Sequence, residues 1–322
     1  MRHFCSFAAA LLLAAGGFGL YAQQSAGQVA LHVVAVDSSG QPVPDLTASD
    51  FKVFDNGAPQ QIVSVKLNQS DGPRALVVLF DLLNSAFSSR GAVWEAMKTS
   101  LSQLPAHNPL YLYLLVEDGS LYAVHDLKAP ANDAWTENIG PLLDAAMHQT
   151  SQLMPQDFRS SSPVRIPARF TTTCQALEDM RARMAALAGP KELLWVTYGF
   201  PSSIHFADRG WWDGGPTLRQ LGARFAQSGI TIYTADPGMN LGRGILNRDA
   251  LDILTGAAGG RTFATIDLNQ AIAQAEADAR INYSLSYQPS SWDGKYHKLR
   301  VTVARKGIHL QTERGYFAVQ GS

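Results

Sequence analysis

Ala75-Leu76-Val77-Val78-Leu79-Phe80-Asp81 is a continuous apolar run that stops at a carboxylate. A strand with one wet face alternates apolar and polar residues. This run does not, so both of its faces must be covered, as in a parallel sheet with helices above and below. The residues that follow support that reading. Helical spacing runs from Ser89 to Leu104, and an apolar strand from Leu110 to Glu117 is paired by a hairpin partner from Ser120 to Leu127. Helices are expected over Asp133 to His148 and Thr173 to Leu187, then a strand over Glu192 to Tyr198. Helix Thr217 to Gln227, strand Ile230 to Asp236, helix Arg248 to Ala257, strand Arg261 to Thr265 and helix Leu268 to Arg280 complete the alternation. Strands alternating with helices imply crossover connections, hence a Rossmann-like, doubly wound, mostly parallel α/β sheet.

On either side of this region the pattern changes to short alternating strands. Gln28 to Val36, Phe51 to Asp55 and Gln61 to Leu67 precede it, with a tight Asn56-Gly57 turn. Three strands are too few for an independent core. Ile281 to Pro289, Lys295 to Arg305 and Ile308 to Ala318 alternate in the same way at the other end. The two ends are therefore expected to form one small discontinuous β-sandwich, from segments 23–70 and 281–322, with the α/β region 71–280 inserted between them.

The chain has 322 residues, 46% hydrophobic and 16% charged, with a formal net charge of -1. This composition belongs to a folded chain and provides no basic field for nucleic acid or an anionic membrane. Residues 1–22 place Arg2 and His3 before a short, Gly-interrupted apolar run and read as a secretory signal peptide cut after Ala22. No later segment is long and apolar enough to span a bilayer. The expectation is a secreted or periplasmic protein with Cys174 as its one remaining thiol, and burial is the expected fate of that thiol.

Open parallel sheets bind ligands beyond the carboxyl ends of their strands. After Phe80 there is no Gly-rich phosphate loop, only Asp81-Leu82-Leu83-Asn84-Ser85-Ala86. Oxygens of this kind suit a hard divalent cation. The alternative is that Asp81 and Ser85 cap the next helix or satisfy nearby backbone amides.

In these segments the chain resembles the von Willebrand factor type A domain, in particular a branch found in acidobacteria. The resemblance rests on Gln41 to Gly57, the strand ending at Asp81, the Leu254-Thr255-Gly256-Ala257-Ala258-Gly259-Gly260-Arg261 turn, and Tyr283-Ser284-Leu285-Ser286-Tyr287 with Gly315-Tyr316. It implies a metal-ion-dependent adhesion site. Asp81 and Ser85 match that motif, and Thr171 stands for its loop threonine, with Thr172 and Thr173 as alternatives. The chain departs from the motif at Leu83, where a serine is expected, and at Tyr198, where an aspartate is expected. The site is thus degenerate. A metal-free site is expected, with weak Mg2+ or Mn2+ binding as the alternative.

A second candidate is the stretch Phe200 to Gly215, a long Gly-rich loop with paired tryptophans at Trp211 and Trp212. Aromatic anchors of this type are enriched at interfaces, although gap filling would use them equally. Together with Asn84 they are the expected partner contacts. Ser151 to Arg169 reads as a loop leading into Thr171, with Arg159, Arg165 and Arg169 along it.

Enzyme signatures are missing from the sequence. No His-Glu-x-x-His spacing occurs among the histidines, and Gly199-Phe200-Pro201-Ser202-Ser203 lacks the closing Gly of a nucleophile elbow. The adjacent acids Glu117 and Asp118 would point in opposite directions on a strand. The expected function is a non-catalytic module that binds a protein partner at the rim. Runners-up are a structural envelope module assembling through its sandwich edge and, last, an unrecognised hydrolase.

Overall fold

The computed structural model describes residues 27–69, 75–85, 87–103, 110–130, 135–151, 166–189, 191–206, 208, 210–237, 248–265 and 267–319. The expected signal segment 1–22, Arg159 and Arg165 lie outside them.

Before the α/β region come β1 (Val29–Val36), β2 (Phe51–Asp55), β3 (Ala58–Gln60) and β4 (Ile62–Gln69). The central sheet begins at β5 (Ala75–Asp81), followed by α1 (Phe87–Ser102), β6 (Leu110–Leu115), β7 (Leu121–His125), α2 (Ile139–Ser151), α3 (Ile166–Ala185) and β8 (Lys191–Val196). Next are a hairpin of β9 (Ser203–Phe206) and β10 (Gly210–Asp213), then α4 (Gly215–Gln227), β11 (Ile230–Ala235), α5 (Arg248–Ala257), β12 (Thr262–Phe263) and α6 (Leu268–Arg280). The chain closes with β13 (Ile281–Tyr287), β14 (Tyr296–Val303), β15 (His309–Thr312) and β16 (Gly315–Phe317).

The central sheet has six strands in the order β12-β11-β8-β5-β6-β7, all parallel except β7, which returns antiparallel to β6. β5, β6 and β8 are buried along almost their whole length, as their unbroken apolar runs require. Alternate residues feed two cores. Val78, Phe80, Leu194 and Val196 pack with α1, α2 and α6, while Val77, Leu79, Leu193 and Trp195 pack with α3, α4 and α5.

Two further sheets, β15-β1-β13-β4 and β16-β14-β2-β3, are antiparallel and draw strands from both chain ends. Their inner faces share a third core of Leu31, Val33, Phe51, Val53, Leu285 and Leu299, with Phe51 edge-on to Tyr283 at 5.4 Å. A buried polar cluster crosses between these sheets. The Tyr287 and Tyr316 hydroxyls each donate to Asp55 Oδ2 at 2.9 Å, and His297 Nδ1 lies 2.8 Å from Asp55 Oδ1. A carboxylate at this depth is tolerable because Oδ2 accepts from two hydroxyls and Oδ1 lies beside the His297 ring.

Three segments differ from the sequence reading. The expected last strand, Ile308 to Ala318, breaks at Glu313-Arg314 into β15 and β16, which lie in different sheets. Its bend is held where Arg314 N donates to Gly256 O of α5 at 2.7 Å. The expected loop Phe200 to Gly215 contains the β9–β10 hairpin, registered Trp211 to His205 and Trp212 to Ile204. Finally, α3 starts at Ile166, so Thr171 and its neighbours are in a helix and not on a loop.

Candidate functional site

The chain runs from β5 outward to β6 and β7, then returns to place β8 on the other side of β5. The carboxyl ends of β5 and β8 therefore flank the topological switch point, where such sheets open a crevice. Asp81 ends β5 and Thr197 directly follows β8. Since Phe80 pairs with Val196, the next positions lie side by side.

The crevice is closed from within. Asp81 is fully buried and accepts hydrogen bonds from Asn84 N at 2.8 Å, Asn84 Nδ2 at 2.8 Å and Thr197 Oγ1 at 2.7 Å. Burial raises its pKa above the usual carboxylate value, and the donors from Asn84, Thr197 and the Leu83 backbone oppose that rise. The Ser85 hydroxyl donates to the Asp81 carbonyl. Asn84 is itself buried and reaches a second element, donating from Nδ2 to Thr173 Oγ1 of α3 at 3.0 Å. The loop after β5 is thus folded onto its own carboxylate.

These contacts relocate several expected site residues. Thr171 is exposed and donates to Pro167 O one turn back, at 3.0 Å. Helical residues two apart face roughly 200° away from one another, so Thr173, and not Thr171, meets the switch point. Asn84, expected at the partner surface, is used inside. Leu83 is buried in the core that also holds Phe170 and Phe200, against which Trp212 packs, which explains an apolar residue at that position. Tyr198 lies on the opposite side of the sheet, against the core that contains Phe80 and Trp94. Thr197 was not anticipated from the sequence, although strand alternation carries the signal. Asp81 continues the Val77-Leu79 face, Thr197 continues Leu193-Trp195, and both faces belong to one core.

As a metal site this arrangement does not fit. Its carboxylate is engaged by donors of its own chain, Ser85 is turned to a backbone carbonyl, and Leu83 offers only an apolar side chain, packed into the neighbouring core. Among the described residues no group of three or more His, Cys, Asp or Glu is disposed to hold a metal ion.

Beside the closed crevice stands the β9–β10 hairpin. Its two tryptophans alternate across the ribbon and have different surroundings. Trp212 packs edge-on against Phe170 of α3, with centroids 4.8 Å apart. Gly214 makes this packing possible, since a Cβ there would sit 2.6 Å from the Phe170 ring and 3.0 Å from Trp212. Trp211 faces outward and is 73% exposed. Cys174, next on α3, is half-buried, less than the full burial expected, and its burial pushes the thiol pKa up to about 12.

No protein-family model matches the chain, and no curated protein matches it. Among solved structures, it is similar to the pilus adhesin SpaC from Lactobacillus rhamnosus GG in its open conformation, at TM-score 0.40 and 11% identity over 84% of this chain and 41% of that one. It is similar to proximal thread matrix protein 1 from the mussel byssus with a zinc-occupied MIDAS motif, at TM-score 0.39 and 12% identity over 70% and 50%. Manganese-loaded Plasmodium vivax TRAP protein gives TM-score 0.40 and 11% identity over 78% and 97%. The chain spans half or less of the length of the first two. Likenesses at these scores carry no argument about its function.

Proposed function

We propose that the chain is an exported, non-catalytic module that docks a protein partner at the carboxyl-end rim of its parallel sheet through the β9–β10 hairpin, without a resident metal. The observation that carries this reading is the contrast between the two tryptophans. Trp212 packs the hairpin against α3, and Trp211, on the other face of the ribbon, is 73% exposed. A preordered aromatic loses little side-chain freedom on binding, which is why such residues dominate interface energetics. Closure of the crevice supports the same reading, because the Asp81 carboxylate is engaged by Asn84 and Thr197 of its own chain.

Trp211→Ala should weaken capture of the partner at least tenfold while leaving the melting temperature unchanged. Unchanged capture would remove the hairpin from the interface. In that event the second reading, assembly through the sandwich, gains weight from β4. That strand is an eight-residue sheet edge on which Val63 is 53% exposed.

A further inference from the structure

At the opposite end of the parallel sheet, the amino-terminal starts of β8 and β11 face the outer surface of the β15-β1-β13-β4 sheet across an open cleft of about 940 Å³. A space of this size accommodates an organic molecule of ordinary cofactor or metabolite dimensions. We propose that this cleft binds a small hydroxylated carboxylate of the sugar-acid class.

The sheet wall is polar in regular rows. Lys66, Ser284 and His32 stand side by side across β4, β13 and β1, and Asn68 pairs with Asn282 in the adjacent row. Asn68 Nδ2 donates to Asn282 Oδ1 at 3.0 Å and to Ser284 Oγ at 2.7 Å, which holds these side chains in fixed positions along the wall. On the facing wall, Lys191 is 7% exposed, and burial lowers its pKa from the ordinary lysine value. Its Nζ donates to Leu187 O at 3.0 Å, its one side-chain hydrogen bond among the described residues. An ammonium carries three donors, so a ligand anion can complete this one. Lys66 adds a second positive charge from across the cleft. Glu192 and Glu313 add two carboxyl groups to the same lining.

This balance selects the anion. Among the described lining residues, burial shifts Lys191 and Glu313 alike toward their neutral forms, so the walls carry little net charge and a singly charged ligand is the better match. A phosphate monoester would bring nearly two, against the acids. None of the described lining residues is an arginine, the side chain typical of tight bidentate oxyanion recognition. Because its walls come from both the parallel-sheet region and the antiparallel sheets, a bound ligand would bridge them. The site is independent of the rim and of the partner proposed there.

Isothermal titration of the full chain with glucuronate, glucose and glucose 6-phosphate tests the proposal. Glucuronate should bind, glucose should be at least tenfold weaker, and Lys66→Glu and Lys191→Met should each weaken glucuronate at least tenfold. Lys66 is on the exposed sheet face, so its variant decides the matter if Lys191→Met fails to fold. Absence of heat with glucuronate up to about 10 mM, binding insensitive to Lys66→Glu, equal binding of glucose, or tighter binding of glucose 6-phosphate would each overturn it.

Discussion

The Thr197 hydroxyl donates to Asp81 Oδ2 at 2.7 Å and thereby joins the ends of β8 and β5 across the switch point of the central sheet. A position that in open parallel sheets is a ligand crevice is here a buried latch. Hydrogen bonds to charged groups contribute about 1.5 to 3 kcal/mol, and a buried carboxylate left short of donors adds its desolvation cost. Thr197→Val should therefore lower unfolding stability by about 2 kcal/mol in urea titration. Thr171→Val, at an exposed helical position, should stay within about 0.5 kcal/mol.

Divalent cations provide the second check. Melting temperature in millimolar Mg2+ or Mn2+ should equal that in EDTA, since binding to the folded state would raise it by mass action. Asp81→Ala should lower the melting temperature equally with and without the ions. A cation-dependent rise in the parent that Asp81→Ala removes would show that the latch opens to coordinate metal.

Glu313 predicts a pH dependence. Burial raises its pKa from 4.5 to about 7, while His32 N and Thr312 Oγ1 donate to the carboxylate and oppose the shift. A raised folded-state pKa means that the folded chain holds the proton more tightly than the unfolded one. Its contribution is therefore complete below about pH 4.5 and is lost as pH rises through about 7. Asp278, raised to about 6 by burial against the opposing charge of Arg261, acts in the same direction from a lower starting pH. Glu313→Gln keeps an acceptor for His32 N and should lose less stability than the parent between pH 5 and pH 8. Urea midpoints across that range measure the difference.

Cys174 supplies a reactivity test. With its thiol pKa pushed up to about 12 by burial, almost no thiolate is present at pH 8. Iodoacetamide should label it slowly in the folded chain and rapidly in urea. Fast labelling without denaturant would show that α3 opens around this position.

Much of the architecture was legible because the periodicities differ so sharply. The unbroken apolar run ending at Asp81 could only be a covered strand, and the alternating segments at either end could only line a one-sided sheet core. Residues 248–257 and 268–280 form helices over the limits that spacing predicted. The site was less legible. Placing Thr171 on a loop failed because the helix begins five residues earlier, at Ile166, and helical rotation then hands the contact to Thr173. Tyr198 was aligned by position after the strand, whereas alternation puts Thr197 on the Asp81 side. The β9–β10 hairpin escaped notice because its strands have only four residues each, too few to establish an alternating pattern. No local pattern could indicate that Leu83 completes a core shared with Phe170 from a distant helix.

Photo-cross-linking distinguishes a metal-independent docking rim centred on the β9–β10 hairpin from the alternatives. A photoreactive phenylalanine analogue placed at Trp211 of the full chain should give one dominant adduct with an envelope or secreted protein. Its yield should be the same in EDTA and in Mg2+, and the same probe at exposed Val63 should not form it. Failure to form an adduct at Trp211, or an adduct that EDTA abolishes, would contradict the claim.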